Sequence, residues 1–438
     1  MKRSLLVFLC FCFFAFLAGS TMVYAQERLT LQDAITKALQ RNFDIQVADV
    51  NAKAADANNT LGNAGFLPNI NGNGFYNYSV VDAKNQFSNG TSQERKGAVS
   101  KNFGGGINAD FRVFAAGRAY IIKKQLNELQ KLSEEQLRLQ IQSTVSQVIQ
   151  AYAQVVFQHQ QIIAIDTGLG LAKVRMILSQ MQYETGLSAK VDFLQARVDY
   201  NARQSDSLNL IAATNGMFAD LNLLMGEDPY KTYIVDDSLT LNTTLKPLQK
   251  ELLQQQNLSI SIAKRTWEAS KLSARATKAE MLPSIDLSAG YNYNKTQSQA
   301  GFALFNQSFG PSAGATLNLP IFQAGNLRRL SKIATLQAMR DELLYEKQNT
   351  EIARQYRRAW TDYQISMAAY QLEKQNIVYA KENVDIQKAR FRVGIATNLE
   401  TREAENSYVT ALVRLYNASY NLKVNETRVL ELENRLVE

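Results

Sequence analysis

Leu67-Pro68-Asn69-Ile70 enters a segment that ends Phe75-Tyr76-Asn77-Tyr78. Leu282-Pro283-Ser284-Ile285 enters another that ends Gly290-Tyr291-Asn292-Tyr293, with Pro283 lying 215 residues after Pro68. The likeness reaches upstream to Arg41-Asn42 and Gln256-Asn257 at the same offset. Downstream, Val113-Phe114-Ala115-Ala116-Gly117 recurs as Ile321-Phe322-Gln323-Ala324-Gly325, and Tyr183-Glu184-Thr185-Gly186-Leu187 as Phe391-Arg392-Val393-Gly394-Ile395, now 208 residues on. Four blocks in one order are the mark of a tandem repeat. The shorter second offset implies a longer loop in the first copy.

The segments opened by the two Leu-Pro pairs alternate like strands. Ile70, Gly72, Gly74, Tyr76, Tyr78 and Val80 share one face; Asn69, Asn71, Asn73, Asn77 and Ser79 share the other, interrupted only by Phe75. Ile285, Leu287, Ala289, Tyr291 and Tyr293 oppose Ser284, Asp286, Ser288, Asn292 and Asn294. The return strands repeat this: Ile107, Ala109, Phe111 and Val113 against Asn108, Asp110 and Arg112, and Ala315, Leu317 and Leu319 against Thr316 and Asn318. Such alternation fits a half-buried soluble sheet or a lipid-facing barrel with a wet lumen. Strand lengths near the roughly 9–11 residues of an oblique bilayer crossing favour the barrel. So do the polar segments Asp82 to Phe103 and Lys295 to Gly310, read as long loops. Two hairpins supply four strands, whereas membrane barrels begin at about eight. An open edge is not tolerated in lipid, so a barrel requires several copies of the chain.

Between and after the hairpins the chain reads as long helix. No proline interrupts Ala119 to Gln182, a span on the order of 90 Å at 1.5 Å per residue. Gly168 and Gly170 are expected to bend it. Leu327 to Arg392 is its counterpart, and Asp192 to Leu224 and Glu400 to Leu432 run back as antiparallel partners. Met225-Gly226-Glu227-Asp228-Pro229 ends the first return helix with a glycine cap. One helix opens each copy: the first at Thr30, with Asp33 completing a capping box; the second with Pro247 in its first turn.

Residues 1–25 read as a secretory signal. Lys2 and Arg3 precede an apolar run from Leu5 to Ala18, and Val23-Tyr24-Ala25 offers a cleavage site. Ser20 stands where a lipid-anchored chain would carry cysteine. The first repeat then covers 26–228 with a hairpin at 66–114 and helices to 226, a linker 229–246, and the second repeat 247–438 with a hairpin at 281–321.

Cys10 and Cys12 both lie in the signal, so the mature chain has no thiol for a disulfide, a metal or catalysis. Its one histidine, His159, sits on a helix with no supporting motif, and Asp236-Asp237 reads as solvated linker. The formal charge of +8 comes from scattered residues, with no basic block for nucleic acid. Composition thus points away from an enzyme, a cofactor or a metal.

The motifs together resemble the TolC-like outer-membrane efflux proteins. The carriers are Leu29-Thr30-Leu31-Gln32-Asp33-Ala34-Ile35 with Asn42, both Leu-Pro pairs, Phe114-Ala115-Ala116-Gly117 with Pro320-Ile321-Phe322-Gln323-Ala324-Gly325, and the two glycine turns at Gly186 and Gly394. The resemblance implies a mainly α fold with β: a homotrimer with a twelve-stranded outer-membrane β-barrel continued by a twelve-helix periplasmic α-barrel. It implies a passive duct for small molecules or polypeptides in a tripartite efflux or type I secretion system, driven by an inner-membrane pump through a periplasmic adaptor, the membrane fusion protein. Thr185, Gly186, Leu187, Val393, Gly394 and Ile395 would form the turns where the adaptor docks. Glu400 and Glu403 would ring a periplasmic gate, with Asp192 in its latch. The chain departs from the family at the latch partners: Phe391 lacks the expected hydroxyl, and Ala396 stands where arginine is usual, with Arg392 a substitute. The alternative is a soluble periplasmic coiled-coil adaptor or other interaction protein.

Overall fold

The computed structural model describes residues 27–301 and 303–436; the signal segment lies outside them. In chain order the elements are β1 (Arg28–Leu29), α1 (Leu31–Arg41), α2 (Phe43–Asn58), β2 (Asn69–Gln86), β3 (Ser92–Phe114), α3 (Arg118–Glu184), α4 (Lys190–Met225), β4 (Ile234–Val235), α5 (Lys250–Gln256), α6 (Leu258–Ala279), β5 (Ser284–Ser298), β6 (Phe305–Asn318), α7 (Asn326–Arg392) and α8 (Asn398–Leu432). They form two compact units. One takes the described part of Met1–Asn42 with Val145–Thr244 and Tyr363–Thr427; the other takes Phe43–Thr144, Leu245–Asp362 and Arg428–Glu438. Each unit therefore draws on both halves of the chain.

In the unit that holds the strands, β2-β3-β5-β6 form one antiparallel sheet. Its hairpins run past the apolar alternation. β2 and β3 stay paired as far as Gln86 opposite Ser92, so only Phe87 to Thr91 turn the chain, and β5 and β6 pair as far as Gln297 opposite Phe305. The polar segments expected to be long loops are thus mostly strand. Backbone pairing needs no apolar side chain once a register has been set, and a bulge between Val81 and Ala83 absorbs the change of pattern.

In the other unit the core gathers Leu29, Ala34, Ala38, Val148, Tyr152, Val155, Val156, Phe218, Leu221 and Met225. The Tyr152 hydroxyl donates to the Leu29 carbonyl at 3.1 Å, beside the short parallel pair β1–β4. Burial pushes that phenol up to about 12. The capping box is present: Asp33 N–H donates to Thr30 Oγ1, and Thr30 N–H to Asp33 Oδ2, both at 3.2 Å. Gly226 caps α4 with φ 65°.

Two other expectations fail. The opening helix of each half is two helices, broken at Asn42 and at Asn257. Pro247 precedes the helix instead of joining its first turn, because α5 starts at Lys250 behind the cap residue Gln249. α3, by contrast with these, runs 67 residues through Gly168 and Gly170 as one helix.

The two breaks have one cause. Asn42 Nδ2 donates to the Leu224 carbonyl and Asn257 Nδ2 to the Leu432 carbonyl, each at 2.9 Å. Leu224 and Leu432 lie at the ends of α4 and α8, where carbonyls lack intrahelical donors. Each asparagine leaves its own helix to satisfy one. Asn257 also caps α6 by accepting from Ile260 N–H at 3.2 Å. Asn257→Ala removes both bonds and is expected to cost about 1–3 kcal/mol, read as a lower denaturation midpoint of the detergent-purified protein. An unchanged midpoint would contradict this account of the break.

Candidate functional site

The two glycine turns lie in the same compact unit. Both are built alike. Leu187 N–H reaches back to the Gln182 carbonyl at 2.7 Å, and Ile395 N–H to the Arg390 carbonyl at 2.9 Å. These six-to-one bonds close Schellman turns, which place one residue in the left-handed region. That residue is Gly186 (φ 73°) in one turn and Gly394 (φ 76°) in the other. A side chain at either position would strain the backbone. Thr185 Oγ1 donates to the Met181 carbonyl at 2.8 Å and tightens the first turn. Leu187 is 81% exposed, and Val393 and Ile395 stand out with Val191 and Leu399.

Two side-chain bonds clasp the turns together. Gln182 Nε2 donates to the Phe391 carbonyl at 3.1 Å, and Asn398 Nδ2 to the Asp192 carbonyl at 2.9 Å. Here Asp192 contributes its backbone, and Phe391, 3% exposed, contributes its ring to the interior and its carbonyl to the clasp. The clasp needs no hydroxyl on Phe391 and no arginine at Ala396, which is itself buried.

Beneath the clasp lies a cluster that the sequence reading missed. The Arg175 side chain, 1% exposed, donates from Nε to Glu405 Oε2 at 3.0 Å and from Nη2 to Asp199 Oδ2 at 3.1 Å. Its Nη1 donates to Asn398 Oδ1 at 2.7 Å. One guanidinium thus joins α3, α4 and α8, and Asn398 relays it to the clasp. Its fork geometry suits three acceptors at once. Burial pushes the Glu405 carboxyl up against the opposing pull of Arg175. A level away, Gly168 leaves the space that the Arg203 guanidinium fills on its way to Asn406: a Cβ there would sit 2.3 Å from Arg203 Nη1. Gly168 therefore serves close packing. A signal for Arg175 exists in the sequence. Ala164, Gly168, Ala172, Arg175 and Ser179 fall at helical spacing on one buried stripe of α3, and arginine is the anomaly among small residues.

Glu400 and Glu403 are both exposed in the first turns of α8, three residues apart and so on one face. Glu400 already has a local task. Its carboxylate accepts from Thr397 N–H at 2.7 Å and from Thr397 Oγ1 at 2.9 Å, while Thr397 Oγ1 accepts from Glu400 N–H. This is a second capping box, and those bonds hold the Glu400 carboxyl below the usual glutamate range. Its charge is therefore retained in mild acid.

Arg175→Met leaves Glu405 buried without its cation. It is expected to destabilise the unit by about 3–5 kcal/mol and to speed proteolytic nicking at the glycine turns. Adding Glu405→Leu should recover part of the loss. Wild-type stability in the single variant would show that the cluster does not hold the turns.

Comparisons place this architecture. The family model described as outer membrane efflux protein matches residues 34–227 and 250–434. The cation efflux system protein CusC of Escherichia coli (strain K12) is 26% identical over 404 residues, covering 90% of this chain and 83% of that protein. The outer membrane protein TolC of Vibrio cholerae is 22% identical over 247 residues, 56% of each chain, so that match spans little more than half of the relative. The solved CmeC outer membrane channel of Campylobacter jejuni shares the fold with a TM-score of 0.78 at 16% identity, covering 92% of this chain and 85% of that one. With the family model matched over most of its length, the chain belongs to the outer membrane efflux protein family, a family of outer-membrane export channels and not of enzymes.

Proposed function

We propose that three copies of this chain pool their four-stranded sheets into one closed twelve-stranded wall in the outer membrane, a passive exit duct for an inner-membrane pump. The observation that carries this is the sheet itself. Ile70, Tyr76, Ile107, Tyr291, Phe309 and Leu317 stand exposed on one face, each more than half accessible. Among the described residues, β2 and β6 each have one neighbour only. A lone sheet of this kind has an apolar face without cover and two edges with unpaired backbone groups. Lipid covers the face, and pairing between copies satisfies the edges. No described helix is long and apolar enough to cross a membrane.

In this reading 26–228 and 247–438 are two copies of one unit, which the matching roles of Asn42 and Asn257, and of Gly186 and Gly394, support. The exposed apolar residues of the two turns are the docking surface for a periplasmic adaptor. Leu187, Val393 and Ile395 make its contacts, and Thr185, Gly186 and Gly394 keep its shape. Glu400 and Glu403 form the gate ring: three copies bring six carboxylates to one mouth, a filter that favours cations. Asp192 belongs to the latch through its carbonyl.

Because Glu400 also caps α8, the test must remove charge while keeping the cap, and glutamine does so. The double variant Glu400→Gln with Glu403→Gln is expected to raise single-channel conductance in planar bilayers and to lower the preference for cations. A record identical to wild type would remove the gate from the proposal. Absence of any channel from wild-type protein would remove the duct.

A further inference from the structure

The polar face of the sheet carries more information than its alternation. Strand register places Asn71, Asn73, Phe75, Asn77 and Ser79 of β2 on one face with Ser100, Asn102, Gly104, Gly106 and Asn108 of β3. Across β5 the face continues as Gly290, Asn292, Asn294, Thr296 and Ser298, and across β6 as Asn306, Ser308, Gly310 and Ser312. Not one of these side chains is ionisable. Charge flanks this stretch at both ends: at the helix-proximal end stand Asp110, Arg112 and Asp286, of which Arg112 and Asp286 pair at 2.7 Å, and past the bulge after Val81 the hairpin end carries Arg95 opposite Ala83. Lys101 and Lys295, level with Asn102 and Asn294, belong to the opposite, apolar face.

The amides on this face also lie down. Asn108 Nδ2 donates to Asn73 Oδ1 at 3.0 Å, and Asn292 Nδ2 donates to Asn108 Oδ1 at 3.2 Å, a ladder running across three strands. The room for it comes from glycines. A Cβ on Gly106 would sit 2.0 Å from Asn292 Oδ1, one on Gly290 2.3 Å from Asn108 Oδ1, and one on Gly104 2.6 Å from Phe75 Cζ. Glycine weakens a strand, and its use here is explained by this close approach. The side chains tile the backbone instead of standing away from it.

We propose that the stretch of this face between the charged ends is a low-relief lining without charge, and that the barrel admits hydrated cargo of either sign past it. Any charge discrimination in the duct then resides outside this stretch. The inference rests on the proposed barrel, whose lumen the face would line. Dipoles of amides and hydroxyls hydrate a solute without the field that a ring of ionised groups imposes.

Cys10 and Cys12 are the sequence's two cysteines and both precede residue 26, so in protein purified without that segment single thiols report cleanly. Ser312→Cys is nearly isosteric, and Asn108→Cys is a second probe within the ladder. Each variant, reconstituted in lipid vesicles, is treated with a cationic and with an anionic methanethiosulfonate, and the ratio of the two rates is compared with that of a free small thiol. The expected result is reaction with both reagents at a ratio within about threefold of the free thiol, since a potential of a few kT would shift it by tenfold or more. A tenfold bias toward either sign overturns the neutral lining while leaving the barrel standing. Ala289→Cys on the apolar face separates the two failures. It should stay unmodified, and its ready reaction, with Ser312→Cys inert, would overturn the barrel and the lining together.

Discussion

Backbone hydrogen bonding at the two edges of one sheet governs this protein. β2 and β6 each offer a row of N–H and C=O groups with no partner in the described chain. In water such groups are hydrated, but in hydrocarbon each unsatisfied one costs several kcal/mol. The apolar face of the same sheet draws it into hydrocarbon. The two demands conflict for a single copy and are reconciled when the β2 edge of one copy meets the β6 edge of the next. Symmetry follows from this: a head-to-tail contact that closes gives a ring.

The helical turns answer a different demand. Two long helical hairpins must end near one another, and ends expose carbonyls. Schellman turns at Gly186 and Gly394 satisfy some and Gln182 satisfies the Phe391 carbonyl, while Asn398 bonds across to the Asp192 carbonyl in the first turn of α4. Arg175 ties this arrangement to Asp199 and Glu405 with almost no exposure to water. A buried charge of this kind is weak as a source of stability but exacting about geometry, because any shift that parts the ions leaves one unpaired. The turns are thereby tied together, while Leu187, Val393 and Ile395 remain exposed.

Much of this is written in the chain in forms that local physics makes readable. Alternation from Ile70 to Val80 gives the strand and its faces, since side chains on a strand point to opposite sides by turns. Thr30 with Asp33 gives a helix start because the capping box is a contact over three residues. Thr397 with Glu400 carries the same signature, yet the family resemblance invites a reading of Glu400 by charge first, and the cap is passed over. What resists reading is set by contacts distant in sequence. Asn42 and Asn257 interrupt helices that propensity would continue, because their partners are carbonyls far along the chain at Leu224 and Leu432. The strand beyond Val81 is concealed by its polarity, and the two-residue pair β1–β4 is too short for any period to register. Arg175 shows only as an oddity until Asp199 and Glu405 are brought beside it.

Closure of the sheet is tested most directly by amide hydrogen exchange along β2 and β6 in the detergent-solubilised assembly. If copies pair edge to edge, amides on both outer edges exchange as slowly as those between β3 and β5. Rapid exchange confined to β2 and β6, with the interior of the sheet protected, would mean that the edges are open and that no closed wall exists.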